Sequence, residues 1–146
     1  MNDLVAVVTG GTRGIGLAIA EALARRGASV GVTYSRDDRS AEDARGRLAP
    51  LLAAGRRLAV LKGDAGDPAV AAAHHGKMVR ELGVPTVLVN NAGIMPQATF
   101  DQLTVEDWDR TIRVNLSSAF YWCREVVPGM KRAGFGRIVN ISSIAA

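Results

Sequence analysis

Eight residues between an apolar run and a helical pattern carry the clearest chemistry in the chain. In Thr9-Gly10-Gly11-Thr12-Arg13-Gly14-Ile15-Gly16 the glycines stand at G-x-x-x-G-x-G spacing. Gly10 permits a sharp turn out of a strand, Gly14 lets backbone approach a pyrophosphate, and Gly16 lets a helix sit close on a sheet. The free amides at the start of that helix would face the anion. The chemistry is the grip on a dinucleotide.

The elements that must position this turn are legible on either side of it. Leu4 to Val8 reads as a buried strand, and Ile15, Ala18, Ile19, Ala22 and Leu23 predict the apolar face of a helix ending at Gly27, opposite Glu21, Arg25 and Arg26. Ala28 to Tyr34 predicts the second strand, then a helix capped by Ser40 and ended or kinked by Pro50. Arg57 to Leu61 predicts the third strand, and Asp67-Pro68 the start of a helix weakened by Gly76. Thr86 to Val89 is a fourth apolar run. Thr104 with Asp107 forms a capping-box variant, and Ile112, Leu116, Ala119, Phe120, Cys123, Val127 and Met130 predict a long helix with a broad buried stripe. Gly134 and Gly136 separate it from a last strand, Arg137 to Ile141.

Short apolar strands alternating with helices predict an α/β fold, a Rossmann-type doubly wound parallel sheet of five strands with flanking helices. With 146 residues and 48% apolar content, one domain spanning 1–146 is expected. Because a strand lies at the very end with no helix to cover it, the carboxyl-terminal part of the fold is expected to be missing.

Composition narrows the function classes. The chain carries 18 basic and 14 acidic side chains, a net charge of +4 scattered without a basic tract, which argues against nucleic acid as partner. No apolar run approaches a membrane span or a secretory signal, so no membrane partner and a cytoplasmic location are expected. Cys123 is the single cysteine, expected to be a reduced packing residue, and no metal site is expected. His74 and His75 are adjacent, point about 100° apart on a helix, and are read as solvated.

Four signatures in order resemble the amino-terminal portion of the short-chain dehydrogenase/reductase family. They are Thr9-Gly10 through Gly16, Asn90-Asn91-Ala92-Gly93, Asn115 in the long helix, and Asn140-Ile141-Ser142-Ser143. The resemblance implies a cofactor-binding set: Thr9, Gly10, Thr12, Arg13, Gly14, Ile15 and Gly16 in the first turn; Tyr34, Ser35 and Arg36 at the end of the second strand; Asp64 and Ala65 after the third; and Asn91, Ala92 and Gly93 after the fourth. Asp64 would accept from the adenine amino group, and Asn90 would be structural. Ser143 would be the catalytic serine that orients the substrate carbonyl. Asn115, the other catalytic residue implied, would hold the water and lysine of a proton relay. The family's Tyr-x-x-x-Lys is absent, since Tyr34 is followed four residues on by Asp38 and Tyr121 by Glu125.

With no acid at Tyr34 and with Arg13 and Arg36 as forked donors for a 2′-phosphate, NADP is the expected cofactor, NAD the alternative. Within the family the chain is most similar to 3-oxoacyl-carrier-protein reductases and acetoacetyl-CoA reductases. That implies hydride transfer to a ketone, with an acyl thioester as the small-molecule carbonyl or hydroxyl substrate, and a homotetramer for the full-length protein. The fragment itself would be inactive, and an uncovered stripe bearing Phe120, Tyr121 or Trp122 would promote association. The alternative is a non-catalytic module that binds a dinucleotide or a partner.

Overall fold

The computed structural model describes residues 4–143. Five strands form one parallel sheet: β1 (Val5–Val8), β2 (Ser29–Tyr34), β3 (Leu58–Lys62), β4 (Val87–Asn90) and β5 (Arg137–Asn140), in the order β3-β2-β1-β4-β5. The chain winds outward from β1 through β2 to β3, then returns to lay β4 on the other side of β1. The order therefore reverses at the β1–β4 seam, and a crevice opens there beyond the carboxyl ends of the strands.

Period-2 alternation distributes the strand side chains between two cores. Ala6 and Val8 of β1 join Val30, Val32 and Val60 under α1 (Gly14–Arg25) and α2 (Asp38–Leu48). Val5 and Val7 join Ala59, Leu61 and Leu88 under α3 (Pro68–Leu82) and α5 (Ser118–Ala133). β1 is buried along its whole length. β5 is exposed at every residue, an edge strand whose first residue, Arg137, lies over the Phe135 ring at 4.8 Å.

Local signals act largely as the sequence predicts, with four corrections. Pro50 does end α2, in a 3₁₀ turn over Ala49–Leu51, but its cap is Asp37, which accepts from Ser40 N at 2.9 Å and Ser40 Oγ at 2.7 Å. Ser40 is the capped donor, not the cap. In α1 the face on the sheet is Gly16, Leu17, Ala20 and Ala24; Ile15 is 65% exposed, and Ala18 and Ala22 face solvent. The helix is turned because its smallest residues allow the closest approach to β1 and β2. His74 and His75 are half-buried rather than solvated: His74 Nε2 lies 3.2 Å from the Lys62 carbonyl and His75 Nδ1 3.8 Å from Glu125 of α5. Gly76 does not interrupt α3.

The fourth correction concerns the long helix. Thr104 and Asp107 form the expected capping box for α4 (Val105–Ile112), which runs through a π-helical turn, Arg113–Ser117, into α5. The buried face is Val114, Ser118, Trp122, Val126 and Met130. Of the predicted stripe, Cys123 and Val127 are half-buried, whereas Ile112, Leu116 and Phe120 stay exposed. The extra residue in the π turn shifts the phase of everything after it. Ser118 Oγ donates to the Val114 carbonyl at 2.6 Å inside the widened turn, which explains a buried serine in an apolar face.

Candidate functional site

At the β1–β4 seam the strand ends are joined through one hydroxyl. Thr9 Oγ1 accepts from the backbone N–H of Asn91 and of Ala92, each at 3.0 Å, and donates to the Val89 carbonyl at 3.4 Å. Asn91 returns the link, its Nδ2 donating to the carbonyls of Thr9 at 3.0 Å and Gly10 at 3.1 Å. The first glycine turn and the asparagine turn are thus one unit. Asn90 stands outside it and ties β4 to β5, donating to Asn140 Oδ1 at 2.8 Å.

Gly10 sits at φ +63°, a left-handed conformation that β1 needs in order to turn into α1. At Gly16 the constraint is space: a Cβ would lie 2.4 Å from the Gly10 carbonyl oxygen and 2.5 Å from Asn91 Nδ2. At Gly14, by contrast, a Cβ would meet nothing within 4 Å, so its surface opens to the cleft.

The cleft has a volume of about 890 Å³. Gly10, Thr12, Arg13, Gly14, Ile15 and Gly16 line it from the first turn, Tyr34, Ser35 and Arg36 from the end of β2, Asp64 and Ala65 from the end of β3, and Asn91, Ala92 and Gly93 from the end of β4. Thr9 is buried behind the wall. Thr33, Asp37, Gly63, Ile94, Met95, Pro96, Asp107, Arg110 and Val114 also line it, and none of them was expected from sequence as a site residue. Glycine and asparagine punctuation, with the family resemblance at the ends of β2 and β3, had marked the other positions. Apart from Gly63 these nine carry no such signal; of the last six, Ile94, Met95 and Pro96 follow β4 directly, and Asp107, Arg110 and Val114 come from α4 and the π turn, which Arg110 links to Asp64 after β3 and Asn115 to Ile94.

The amino end of α1 differs from those of α2, α3 and α4. Asp37, Asp67 and Thr104 cap those three with side-chain oxygens, whereas at Arg13 no side chain caps α1 and no acid stands in its first turn. Its leading amides and the positive end of its dipole face the cleft unscreened, which is the arrangement an anion takes. The residues therefore fit a dinucleotide's pyrophosphate.

The rim near β2 carries more acid than the sequence reading allowed. Asp37 lines the cleft, 3.8 Å from Arg13, so the expectation that no carboxylate would meet a 2′-phosphate is corrected. Asp37's hydrogen bonds from Ser40 hold its carboxyl below the usual range, with Arg13 adding a smaller effect. Asp38 is engaged elsewhere: Lys62 Nζ reaches it at 2.7 Å and Tyr34 Oη donates to it at 3.0 Å. Burial, then the bond to Asp38, pushes the Tyr34 phenol up, the opposite of a tyrosine prepared to give up its proton.

Asn115 lies in the π turn, exposed, and its amide bonds the backbone of Ile94, a residue of the cleft wall. Oδ1 accepts from Ile94 N at 2.8 Å and Nδ2 donates to the Ile94 carbonyl at 2.9 Å. The amide thus clamps the chain just after Gly93, a bond pair that the sequence does not announce. Ser143 lies past the end of β5, exposed, and does not line the cleft. Asp64 accepts from Gly66 N at 2.9 Å and meets Arg110 Nη1 at 3.4 Å. Among the described residues no helix is long and apolar enough to cross a membrane.

The family model for short chain dehydrogenases matches residues 4–146. Acetoacetyl-CoA reductase from Shinella zoogloeoides is 39% identical over 140 residues, an alignment covering 96% of this chain and 55% of that protein. D-beta-hydroxybutyrate dehydrogenase from Cupriavidus necator is 40% identical over 147 residues, covering 98% and 54%. Among solved structures, a mutant of a Serratia marcescens short-chain dehydrogenase/reductase superposes with a TM-score of 0.85 at 35% identity, over 97% of this chain and 56% of that one. A blue fluorescent protein from a metagenomic library, in complex with NADPH, gives 0.83 at 34% identity, over 98% and 57%. The chain spans about half the length of the curated relatives it matches.

Proposed function

The chain belongs to the short-chain dehydrogenase family, and from that premise we propose that it is the dinucleotide-binding part of an NADP-dependent oxidoreductase that reduces a ketone, a 3-oxoacyl thioester, to a hydroxyl. One observation carries the reading: the uncapped amino end of α1 opens into a cleft whose closest wall is glycine. A pyrophosphate is the ligand such a helix end takes in a doubly wound sheet. Once bound, the cofactor supplies the hydride.

The chain's own residues do the holding. Gly14 and the first amides of α1 receive the pyrophosphate, while Thr9 and Asn91 keep that turn fixed to the end of β4. Arg13, whose side chain is 76% exposed, and Arg36 offer forked donors to a 2′-phosphate, Arg13 leaving Asp37 to do so. Asp64 accepts from the adenine amino group. Asn115 positions the segment from Ile94, which walls the nicotinamide end, and Ser143 orients the substrate carbonyl. The names of the acetoacetyl-CoA reductases support a thioester substrate, and the NADPH-bound neighbour supports NADP. Neither Tyr34 nor Tyr121 has a lysine one helical turn on, so this chain alone binds cofactor without turnover, and the whole protein works as a homotetramer.

The test is a titration of the purified chain with NADPH and NADH, followed by energy transfer from tryptophan. Trp108 is the responsive donor, exposed on the helix that walls the cleft. NADPH binds more tightly, Arg13→Ala and Arg36→Ala weaken NADPH more than NADH, and Asp37→Asn, which keeps an oxygen for the α2 cap, strengthens NADPH. Equal affinity for both cofactors in all four proteins refutes the NADP reading; a folded chain that binds neither refutes the cofactor site.

A further inference from the structure

Arg110 is a cleft residue that no family signature in the sequence singles out. It projects from the last turn of α4, one helical turn before Val114, and both line the cleft. The helix is held at its start by the Thr104–Asp107 capping box and lies across the loop that follows β3. A Cβ on Gly66 of that loop would come within 3.4 Å of Arg113 Cβ and of Val114 Cγ2.

Across this contact the Asp64 carboxylate is held from two sides. Its own loop donates to Oδ1 through Gly66 N at 2.9 Å, and α4 reaches Oδ2 through Arg110 Nη1 at 3.4 Å. The two donors fall on different oxygens, one from Asp64's own loop and one from a residue 46 positions along the chain, so together they restrain both the position and the plane of the carboxylate. With Arg110 removed, one oxygen is unrestrained and the terminal torsion of an aspartate is broad. Each oxygen still has a second acceptor direction for a ligand donor.

We propose that Arg110 is a positioning residue for adenine, fixing the Asp64 carboxylate so that its remaining acceptor faces the cofactor's exocyclic amino group. The inference rests on the cofactor reading above. Since the two side chains are 35% and 47% exposed, the pair is solvent-screened and its effect is modest. The expected loss is about two- to fivefold in affinity.

The experiment compares NADPH with its hypoxanthine analogue, in which the amino group is an oxygen and cannot donate. Both are titrated into the purified chain and its Arg110→Gln and Arg110→Lys variants. The wild type prefers the adenine cofactor, R110Q narrows that preference about two- to fivefold by weakening NADPH alone, and R110K retains most of it. In an Asp64→Ala background R110Q has no further effect. Equal weakening of both ligands by R110Q, or no change in the ratio, overturns the proposal, as does an R110Q effect that persists without Asp64. A wild type that binds both ligands equally also overturns it while leaving the cofactor reading standing, whereas a folded wild type that binds neither refutes the cofactor reading itself.

Discussion

Replacing Thr9 with valine removes one oxygen and keeps the shape, which makes it a direct test of the joint between the two turns. That oxygen, on a side chain only 1% exposed, is the acceptor for the backbone N–H of Asn91 and Ala92 at 3.0 Å each. In Thr9→Val both donors lose their acceptor. A buried donor left unsatisfied costs about 1–3 kcal/mol. Asn91 and Ala92 are half-buried, so water recovers part of this and the pair costs about 2–3 kcal/mol in all. Thr9→Ser keeps the acceptor and gives up one methyl, about 1 kcal/mol. Urea unfolding followed by circular dichroism resolves the gap of about 1–2 kcal/mol, which separates the two midpoints by roughly 0.5–1 M. Because Asn91 in turn holds the Thr9 and Gly10 carbonyls, Thr9→Val also weakens cofactor binding, and Thr9→Ser does not. A valine variant as stable as the serine variant refutes the claim that this hydroxyl joins the turns.

Gly16→Ala puts a Cβ 2.4 Å from the Gly10 carbonyl oxygen, so it costs about 3 kcal/mol and abolishes cofactor binding; Gly46→Ala, in open space within α2, stabilises by about 0.5–1 kcal/mol. Thermal melts of the two variants moving in the same direction would contradict this reading. Burial lowers the pKa of both His74 and His75, so the folded state favours their neutral forms and the unfolded chain binds protons first. Their contribution is complete above the ordinary histidine value of about 6.5 and is lost as pH falls through the lower folded values. Unfolding midpoints measured from pH 7.5 to 5 therefore decline, and a His74→Gln/His75→Gln double variant flattens the slope; an unchanged slope rules these histidines out. Asn115→Ala frees both polar groups of Ile94 at a cost of about 1 kcal/mol, raising amide exchange at Ile94 while leaving the β1–β4 seam protected. Unaltered exchange at Ile94 would show that the clamp does not operate in solution.

Much of the candidate site is readable in one dimension because its chemistry is local. Gly10, Gly14 and Gly16 are demanded by backbone conformation and close approach within eight residues, and Asp67-Pro68 and Thr104/Asp107 act as helix starts within one turn. The Asn90–Gly93 turn was legible as a family signature, with Asn90 as its structural residue, whereas the residue found bonded to Thr9 and Gly10 is Asn91. What misled was phase. α1 and α5 both carry enough apolar residues for two neighbouring faces, and periodicity alone cannot say which one meets the sheet. In α1 the small residues take that face, and in α5 the π turn at Arg113–Ser117 displaces the stripe that a regular helix would bury.

The sequence by itself determined the order of strands and helices, the parallel doubly wound class and the place of the glycine turn, because these follow from short-range preferences and from alternation along the chain. Only the tertiary structure decided that Asp37 stands beside Arg13 on the cleft rim, that Asn115 holds Ile94, and that Arg110 reaches Asp64. The first of these depends on how the loop after β2 folds back to the start of α1. The other two join residues 21 and 46 positions apart. Such pairs exist only once the sheet order has set β3 and β4 on opposite sides of β1 and α4 has packed across their ends. No spacing along the chain encodes a distance that the fold itself creates.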